Sequence, residues 1–218
     1  MSGGMMTCVL AAIQRLGHKL GGLNPRRIGA VAMQLDLARS QGTHLALRLV
    51  TEEDAEYIDT LRKNGLYNKY LSEVRGNVSD QRMWIKNYKN REKKGLEFYY
   101  VIERNDAIPC GLVRIYNIKN NEFTWGSWIL EKNKPPKAAL ESAVLSFGIG
   151  FQILNCDRAN IEVRADNEHA IQFYRRFGMV QSRRTESDIF FVYSRAKFNS
   201  EHQSFLDIVS KSPFEKSK

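Results

Sequence analysis

The hydrophobic positions of this chain repeat with two different periods. Aromatic and β-branched residues run together or alternate in seven segments, and this pattern predicts strands there. Those segments are residues 45–50, 98–102, 108–118, 123–130, 159–164, 179–184 and 189–195. Apolar residues recur every three or four positions in four others, and this pattern predicts helices. Those are residues 52–63, 79–94, 136–154 and 167–177, with approximate ends.

The residues at the segment ends agree with these boundaries. Thr51 with Asp54 resembles the capping pair of a helix start, and Ser79 is the predicted cap of the second helix. Gly178 is placed to close the last predicted helix. The turn pairs Asn105-Asp106 and Asn120-Asn121 join three successive strands into an antiparallel meander.

The order of elements predicts the fold class. It is β-α-α-β-β-β-α-β-α-β-β, in which a meander precedes strand–helix–strand crossovers. Such an order requires a mixed α/β sheet, mostly antiparallel and of about seven strands, with helices on both faces and one core.

The two ends of the chain differ from this central part. Residues 1–44 carry five basic side chains and one acid, with short helix-like patches at residues 9–16 and 28–37. We interpret them as a basic N-terminal appendage; a targeting peptide or sequence upstream of the true domain are the alternatives. We expect one domain over residues 45–198. Residues 199–218 are expected to be a polar tail with one weak amphipathic turn at residues 205–209.

Composition narrows the functional classes. Apolar residues make up 43% of the chain and charged residues 26%, as in ordinary globular proteins. Three scattered cysteines fit a reducing compartment, so we expect a cytoplasmic protein. The four histidines form no cluster at metal-ligand spacing, and no apolar run reaches the ~18 residues of a membrane span. The net charge of +9 favours an anionic partner, although no nucleic-acid fingerprint accompanies it.

Two segments carry candidate chemistry. Lys134 and Lys137 lie in the loop before the third helix, where free amides and added charge suit a phosphate group. A merely solvated loop is the alternative.

The second segment is the last predicted helix. Asn167 and Tyr174 are seven residues apart and share one face of it. Asn167 is placed to cap the helix, and the Tyr174 hydroxyl is a candidate proton donor. A half-buried core tyrosine is the alternative.

Asn167, Ala170, Tyr174 and Gly178 together resemble the C-terminal motif Asn-x-x-Ala-x-x-x-Tyr-x-x-x-Gly of the GNAT N-acetyltransferase superfamily. The element order over residues 45–198 is similar to that fold. The resemblance implies that acetyl-CoA, as co-substrate, binds in a V-shaped gap between two splayed parallel strands, residues 123–130 and 159–164. The backbone near Ile129 and Leu130 then pairs with the pantetheine arm and stabilises the oxyanion, and Tyr174 protonates the leaving thiolate.

The resemblance also implies where the pyrophosphate lies. It would lie over Lys137, Ala138 and Ala139, in a loop that is glycine-rich in the family. Lys134 takes the basic position of that loop and Ala139 its last small position. Lys137 replaces the central glycine, and Pro135 and Pro136 supply no amide hydrogen, so this loop offers fewer backbone donors than the family's pattern does.

The implied activity is direct transfer of an acetyl group to a primary amine. A small-molecule acceptor, specifically a nucleotide-linked amino sugar, is favoured because aromatic rings such as Trp125 and Trp128 near the expected cleft suit a sugar and because the protein is basic. Since successive residues of a strand alternate faces, at least one of these two tryptophans is expected to pack in the sheet instead. The alternatives are a ribosomal-protein-type N-terminal acetyltransferase and a catalytically degenerate basic binding module.

The sequence does not select the base that takes the amine proton. The candidates are Glu122, Glu131, Glu162, Asp166 and a water molecule. We expect no metal, and either a monomer or a homodimer.

Overall fold

The protein forms a mixed sheet whose first six strands are adjacent in chain order. Its structure, a computed structural model, describes residues 33–71 and 75–211. Over these residues the strands are β1 Arg39–Gln41, β2 Leu45–Leu49, β3 Phe98–Arg104, β4 Pro109–Lys119, β5 Glu122–Leu130, β6 Arg158–Arg164, β7 Val180–Arg184 and β8 Asp188–Ser194. They are arranged in the order β1-β2-β3-β4-β5-β6-β8-β7.

The helices of the same residues lie between these strands. They are α1 Ala55–Lys63, α2 Val78–Lys93, α3 Ala138–Gly148, α4 Glu168–Arg176 and α5 Arg195–Ser210. A 3₁₀ turn at Glu52–Asp54 precedes α1, and a π-helical turn at Ile149–Ile153 extends α3. The predicted α/β class and the positions of the four predicted helices are confirmed.

Pairing within the sheet is antiparallel except between β5 and β6, which run parallel. The hairpin between β4 and β5 turns at Asn120 and Asn121, both with positive φ, as a tight hairpin turn requires. The parallel pair is joined by the crossover through α3. The mixed, mostly antiparallel sheet is therefore as the element order predicts.

Two apolar clusters cover the two faces of the sheet. On one face, α1 and α2 pack over Tyr99, Val101, Leu112 and Ile129. On the other, α3, α4 and α5 enclose a larger core that is rich in phenylalanine. Both faces of the central strands are thus buried, which explains why residues 98–102 read as an uninterrupted apolar run.

Some details differ from the sequence-based expectations. The cap of α2 is Asn77 instead of Ser79, because the Asn77 side chain accepts the amides of Ser79 and Asp80. The predicted helix at residues 28–37 is wrong for residues 33–37, which are not helical, and the rest of it and the patch at 9–16 lie outside the described residues. Within the segment expected as an appendage, Arg39–Gln41 pair with β2. Where a polar tail was expected, α5 is a helix of 16 residues.

Candidate active site

The parallel strands β5 and β6 part after a short stretch of pairing. Their register joins Glu122 to Arg158, Phe123 to Ala159 and Thr124 to Asn160, and ends there. Beyond this point β5 continues to Leu130 and β6 to Arg164. The strands therefore leave a wedge, the gap between β5 after Thr124 and β6 after Asn160, along which the facing backbone groups are unpaired.

A β-bulge in β5 accompanies this divergence. Gly126 pairs with Arg114 and Ile129 pairs with Leu112, so that two residues of β5, Ser127 and Trp128, lie opposite one residue of β4. Ser127 adopts the left-handed φ of 48°. A bulge bends its strand and leaves a residue outside the ladder, so it turns the end of β5 away from the regular sheet.

The bulge also directs both tryptophans to the same face. The rings of Trp125 and Trp128 lie 5.0 Å apart, and their indole N–H groups donate to Ser146 (2.9 Å) and Ser142 (3.2 Å) of α3. Strict alternation would have placed them on opposite faces. Trp125 is fully buried and anchors α3 to β5, which agrees with the expectation that at least one of the two tryptophans packs in the sheet.

The N-terminus of α3 opens beside the wedge. Ala138 is buried and Ala139 half-buried, and the amides of Ala139 and Leu140 lie in the first helical turn, where a helix supplies no acceptor. Lys137 precedes them with a left-handed φ of 63°. Its ammonium donates to main-chain carbonyls at the end of α5, whereas the ammonium of exposed Lys134 donates to the Glu131 carbonyl at 3.3 Å.

Helix α4 brings the second motif to the same region. The Asn167 side chain accepts the Ala170 amide at 3.2 Å, which confirms the predicted cap. Tyr174 is 6% exposed, and its ring packs edge-on against Trp125 of β5 and Phe191 of β8, at 6.0 and 5.7 Å. Since β6 lies between β5 and β8, the Tyr174 ring spans the base of the wedge. Burial raises the Tyr174 pKa further above its ordinary value of about 10, so the hydroxyl is protonated at neutral pH with or without this shift.

The candidate bases are placed differently from one another. Glu131 accepts the Tyr57 hydroxyl at 2.7 Å, and Glu122 accepts the Asn160 amide at 2.9 Å. Asp166 forms an exposed ion pair with Lys69 at 3.7 Å. Glu162 is exposed on β6 and is directed to the face opposite Ile161. None of these contacts selects one base.

A surface depression of about 450 Å³ lies at the carboxyl end of β6. Its lining is Arg164, Ala165, Asp166, Glu186 and Ser187.

In the described part of the chain, no group of three or more His, Cys, Asp or Glu could hold a metal ion. There, too, no helix is long and apolar enough to cross a membrane.

Comparison with protein families identifies this arrangement. The family described as acetyltransferase (GNAT) domain matches residues 44–180, more than half of the chain. The chain belongs to the GNAT acetyltransferase family. GNAT acetyltransferases use acetyl-CoA, and this member is accordingly an acyltransferase with acetyl-CoA as its co-substrate.

Solved structures agree with this family. The acetyltransferase is 36% identical to FdhC, a nucleotide-linked sugar GNAT solved in its apo form, over 79% of this chain and 97% of that chain, with a TM-score of 0.71. It shares the fold of spermidine N-acetyltransferase from Vibrio cholerae, solved with CoA and spermine (18% identity, 72% and 98% coverage, TM-score 0.64). It also shares the fold of ribosomal-protein-S5-alanine acetyltransferase from Vibrio fischeri, with 16% identity, coverage of 72% of this chain and 96% of that chain, and a TM-score of 0.62. No curated protein gives a significant match.

The structure adds residues that the motif did not indicate. Ser127 forms the bulge, and Ser142 and Ser146 hold the two indoles. The spacing of Trp125 and Trp128 within one strand was the available signal, because two large apolar residues three positions apart share a face only if the strand is bulged. For Ser142 and Ser146 the signal is weaker: they are small polar residues four apart on an otherwise apolar helix.

Proposed function

We propose that this acetyltransferase transfers the acetyl group of acetyl-CoA directly to the primary amine of a nucleotide-linked amino sugar. The observation that carries the acceptor class is the 36% identity to a nucleotide-linked sugar GNAT over nearly all of that protein. The spermidine and ribosomal-protein enzymes support only the fold, since their identities are 18% and 16%.

The residues around the wedge fit the co-substrate. The unpaired edge of β5 near Ile129 and Leu130 offers backbone groups to an extended amide-containing arm. The free amides at Ala139 and Leu140 suit a pyrophosphate, as does the charge of exposed Lys134. Ala138 and Ala170 leave room for close approach, and Asn167 fixes the start of α4. Acetyl-CoA, when bound there, supplies an activated thioester carbonyl.

The chain contributes orientation and proton transfer. In our proposal, amides of bulged β5 near Ile129 face the developing oxyanion. The Tyr174 hydroxyl is protonated at neutral pH, as an ordinary tyrosine is, and it gives this proton to the departing sulfur. A carboxylate of the set Glu122, Glu131, Glu162 and Asp166, or a water, takes the proton of the attacking amine.

The depression at the end of β6 is the proposed entrance for the acceptor amine. Asp166 and Glu186 in its lining attract an ammonium group, and the overall charge of +9 raises the local concentration of an anionic nucleotide. The nucleotide portion then remains outside the wedge.

An acetyl-transfer assay with thiol release as the readout tests this function. The acceptors are nucleotide-linked amino sugars, the same amino sugars without the nucleotide, polyamines, and peptides with a free N-terminus. We expect kcat/KM for a nucleotide-linked acceptor to exceed that for the free sugar at least tenfold. A preference for a polyamine or a peptide would show that the proposed acceptor class is wrong. If the protein failed to bind CoA, the catalytically degenerate binding module would be favoured.

A further inference from the structure

The C-terminal helix α5 contacts the loop that precedes α3. This helix lies beyond residue 180, where the match to the acetyltransferase domain ends. The Lys137 ammonium donates to the carbonyl of Ile208 at 2.6 Å and to that of Lys211. Both carbonyls belong to the end of α5, where the last carbonyls lack intrahelical partners and carry partial negative charge. A lysine ammonium is therefore an appropriate cap for this helix.

Lys137 keeps an unfavourable backbone conformation at the same position. Its φ of 63° is in the left-handed region, which glycine adopts readily and a residue with a side chain adopts at a cost. The family's loop pattern has a glycine there. The two contacts to α5 give the lysine side chain a function that glycine could not provide.

Helix α5 is firmly seated, so it can act as a fixed support. Phe198 and Val209 are completely buried, and the Phe205 ring stacks on Phe177 with the centroids 4.6 Å apart. Phe177 lies directly after α4, the helix that carries Tyr174. Through α5, the loop before α3 is thus connected to the opposite wall of the proposed site.

We propose that Lys137 is a positioning residue for coenzyme A. By joining the loop to the last turn of α5, it holds the amides of Ala139 and Leu140 in the orientation that receives the pyrophosphate. This inference rests on the proposed site, in which the pyrophosphate lies over the start of α3. The Lys137 ammonium serves the protein backbone and is not the group that neutralises the ligand.

Four variants separate this role from a direct charge effect. Lys137→Met removes the ammonium and keeps most of the side-chain length, Lys137→Gly also relieves the left-handed φ, and Lys137→Arg retains a donor. Lys132→Met is the charge-matched control, because Lys132 is exposed in the same loop. The affinity for CoA is measured by calorimetry, and amide hydrogen exchange of residues 134–141 and 205–211 is measured without ligand.

We expect Lys137→Met and Lys137→Gly to weaken CoA binding about tenfold, in line with the strength of a partly buried cation at a helix end. Exchange should become faster in both segments. Lys137→Arg and Lys132→Met should stay within threefold of the unchanged protein and exchange normally.

Two results would overturn the proposal. One is unchanged CoA affinity in Lys137→Met or Lys137→Gly. The other is weaker binding with unchanged exchange in both segments, because the ammonium would then act on the ligand itself. If the unchanged protein failed to bind CoA, the proposed function would fall as well, while the exchange data would still show whether Lys137 supports the loop.

Discussion

Tyr174 is enclosed by aromatic side chains at the base of the wedge. Its ring is enclosed by Trp125 and Phe191, and this burial raises the pKa of the hydroxyl. The hydroxyl has no hydrogen-bond partner among the described residues. Its removal should therefore affect the chemical step far more than the packing.

Replacing Tyr174 with Phe tests this role directly. We expect kcat to fall about 10²- to 10⁴-fold, the usual contribution of a general acid, with unchanged affinity for CoA. Steady-state kinetics and calorimetry measure the two quantities. Tyr193→Phe is the control, since Tyr193 is also buried, on β8, but packs against Phe147 and Phe198. A loss of only a few-fold in Tyr174→Phe would remove this hydroxyl from the mechanism.

At the scale of elements, the site depends on how α3 is attached to the strands around it. Trp125 and Trp128 bind it to β5 through Ser146 and Ser142. At its N-terminal end, buried Glu141 accepts the amides of His44 (2.8 Å) and Leu45 (3.2 Å) at the start of β2. These contacts determine where the first turn of α3 lies relative to the wedge.

The Glu141 contacts predict a difference between two substitutions. Burial raises the Glu141 pKa, so a neutral acceptor of the same shape is a good substitute for the carboxylate. Glu141→Ala leaves two amides without an acceptor and should destabilise the protein by about 2–4 kcal/mol. Glu141→Gln should cost less than half of that in urea unfolding at pH 7. Equal losses would show that the charge, and not the acceptor, holds these elements together.

The bulge in β5 predicts a second contrast. Ser127→Gly is compatible with a φ of 48° and should leave stability within about 1 kcal/mol of the unchanged protein. Ser127→Val places a β-branched residue in the left-handed region, which costs about 1–3 kcal/mol and favours loss of the bulge. Thermal unfolding and CoA titration measure both effects. If Ser127→Val lowered the stability but left the affinity for CoA unchanged, CoA binding would not depend on the bulge.

For the whole molecule, the many buried tyrosines predict its behaviour at high pH. Burial raises the pKa of several of them above the ordinary value of about 10, namely Tyr57, Tyr88, Tyr99, Tyr100, Tyr174 and Tyr193. The folded state then binds these protons more tightly than the unfolded state does. Their contribution to stability is complete below pH ~10 and is lost as the pH rises above that value.

Urea unfolding between pH 8 and 12 measures this loss. We expect the free energy of unfolding to decrease steeply above pH ~10, by up to about 1.4 kcal/mol per pH unit for each ionising tyrosine. Tyr193→Phe should reduce the slope because it removes one such group. A free energy of unfolding that stays constant up to pH ~11 would contradict the raised pKa values of these tyrosines.

The local pattern of the chain was sufficient to predict the α/β class, the crossover through α3 and the motif on α4. The runs at β3 and β5 and the spacing of Asn167 and Tyr174 report burial and a shared helix face, which are properties of neighbouring residues. Asn167 was placed as the cap of α4 from its residue type and position, and the structure has it there.

Other features depend on contacts between distant residues. Arg39–Gln41 become a strand because β2 lies beside them, and α5 forms where its few apolar residues meet the core of α3 and α4. Ser127 enters the left-handed region because β4 and α3 together hold the bulge, and Lys137 does so where the end of α5 receives its ammonium. Periodicity along a chain shows which side of an element is buried. It does not show which strands pair, where β5 diverges from β6 or what anchors a loop, because these depend on how separate elements pack against one another.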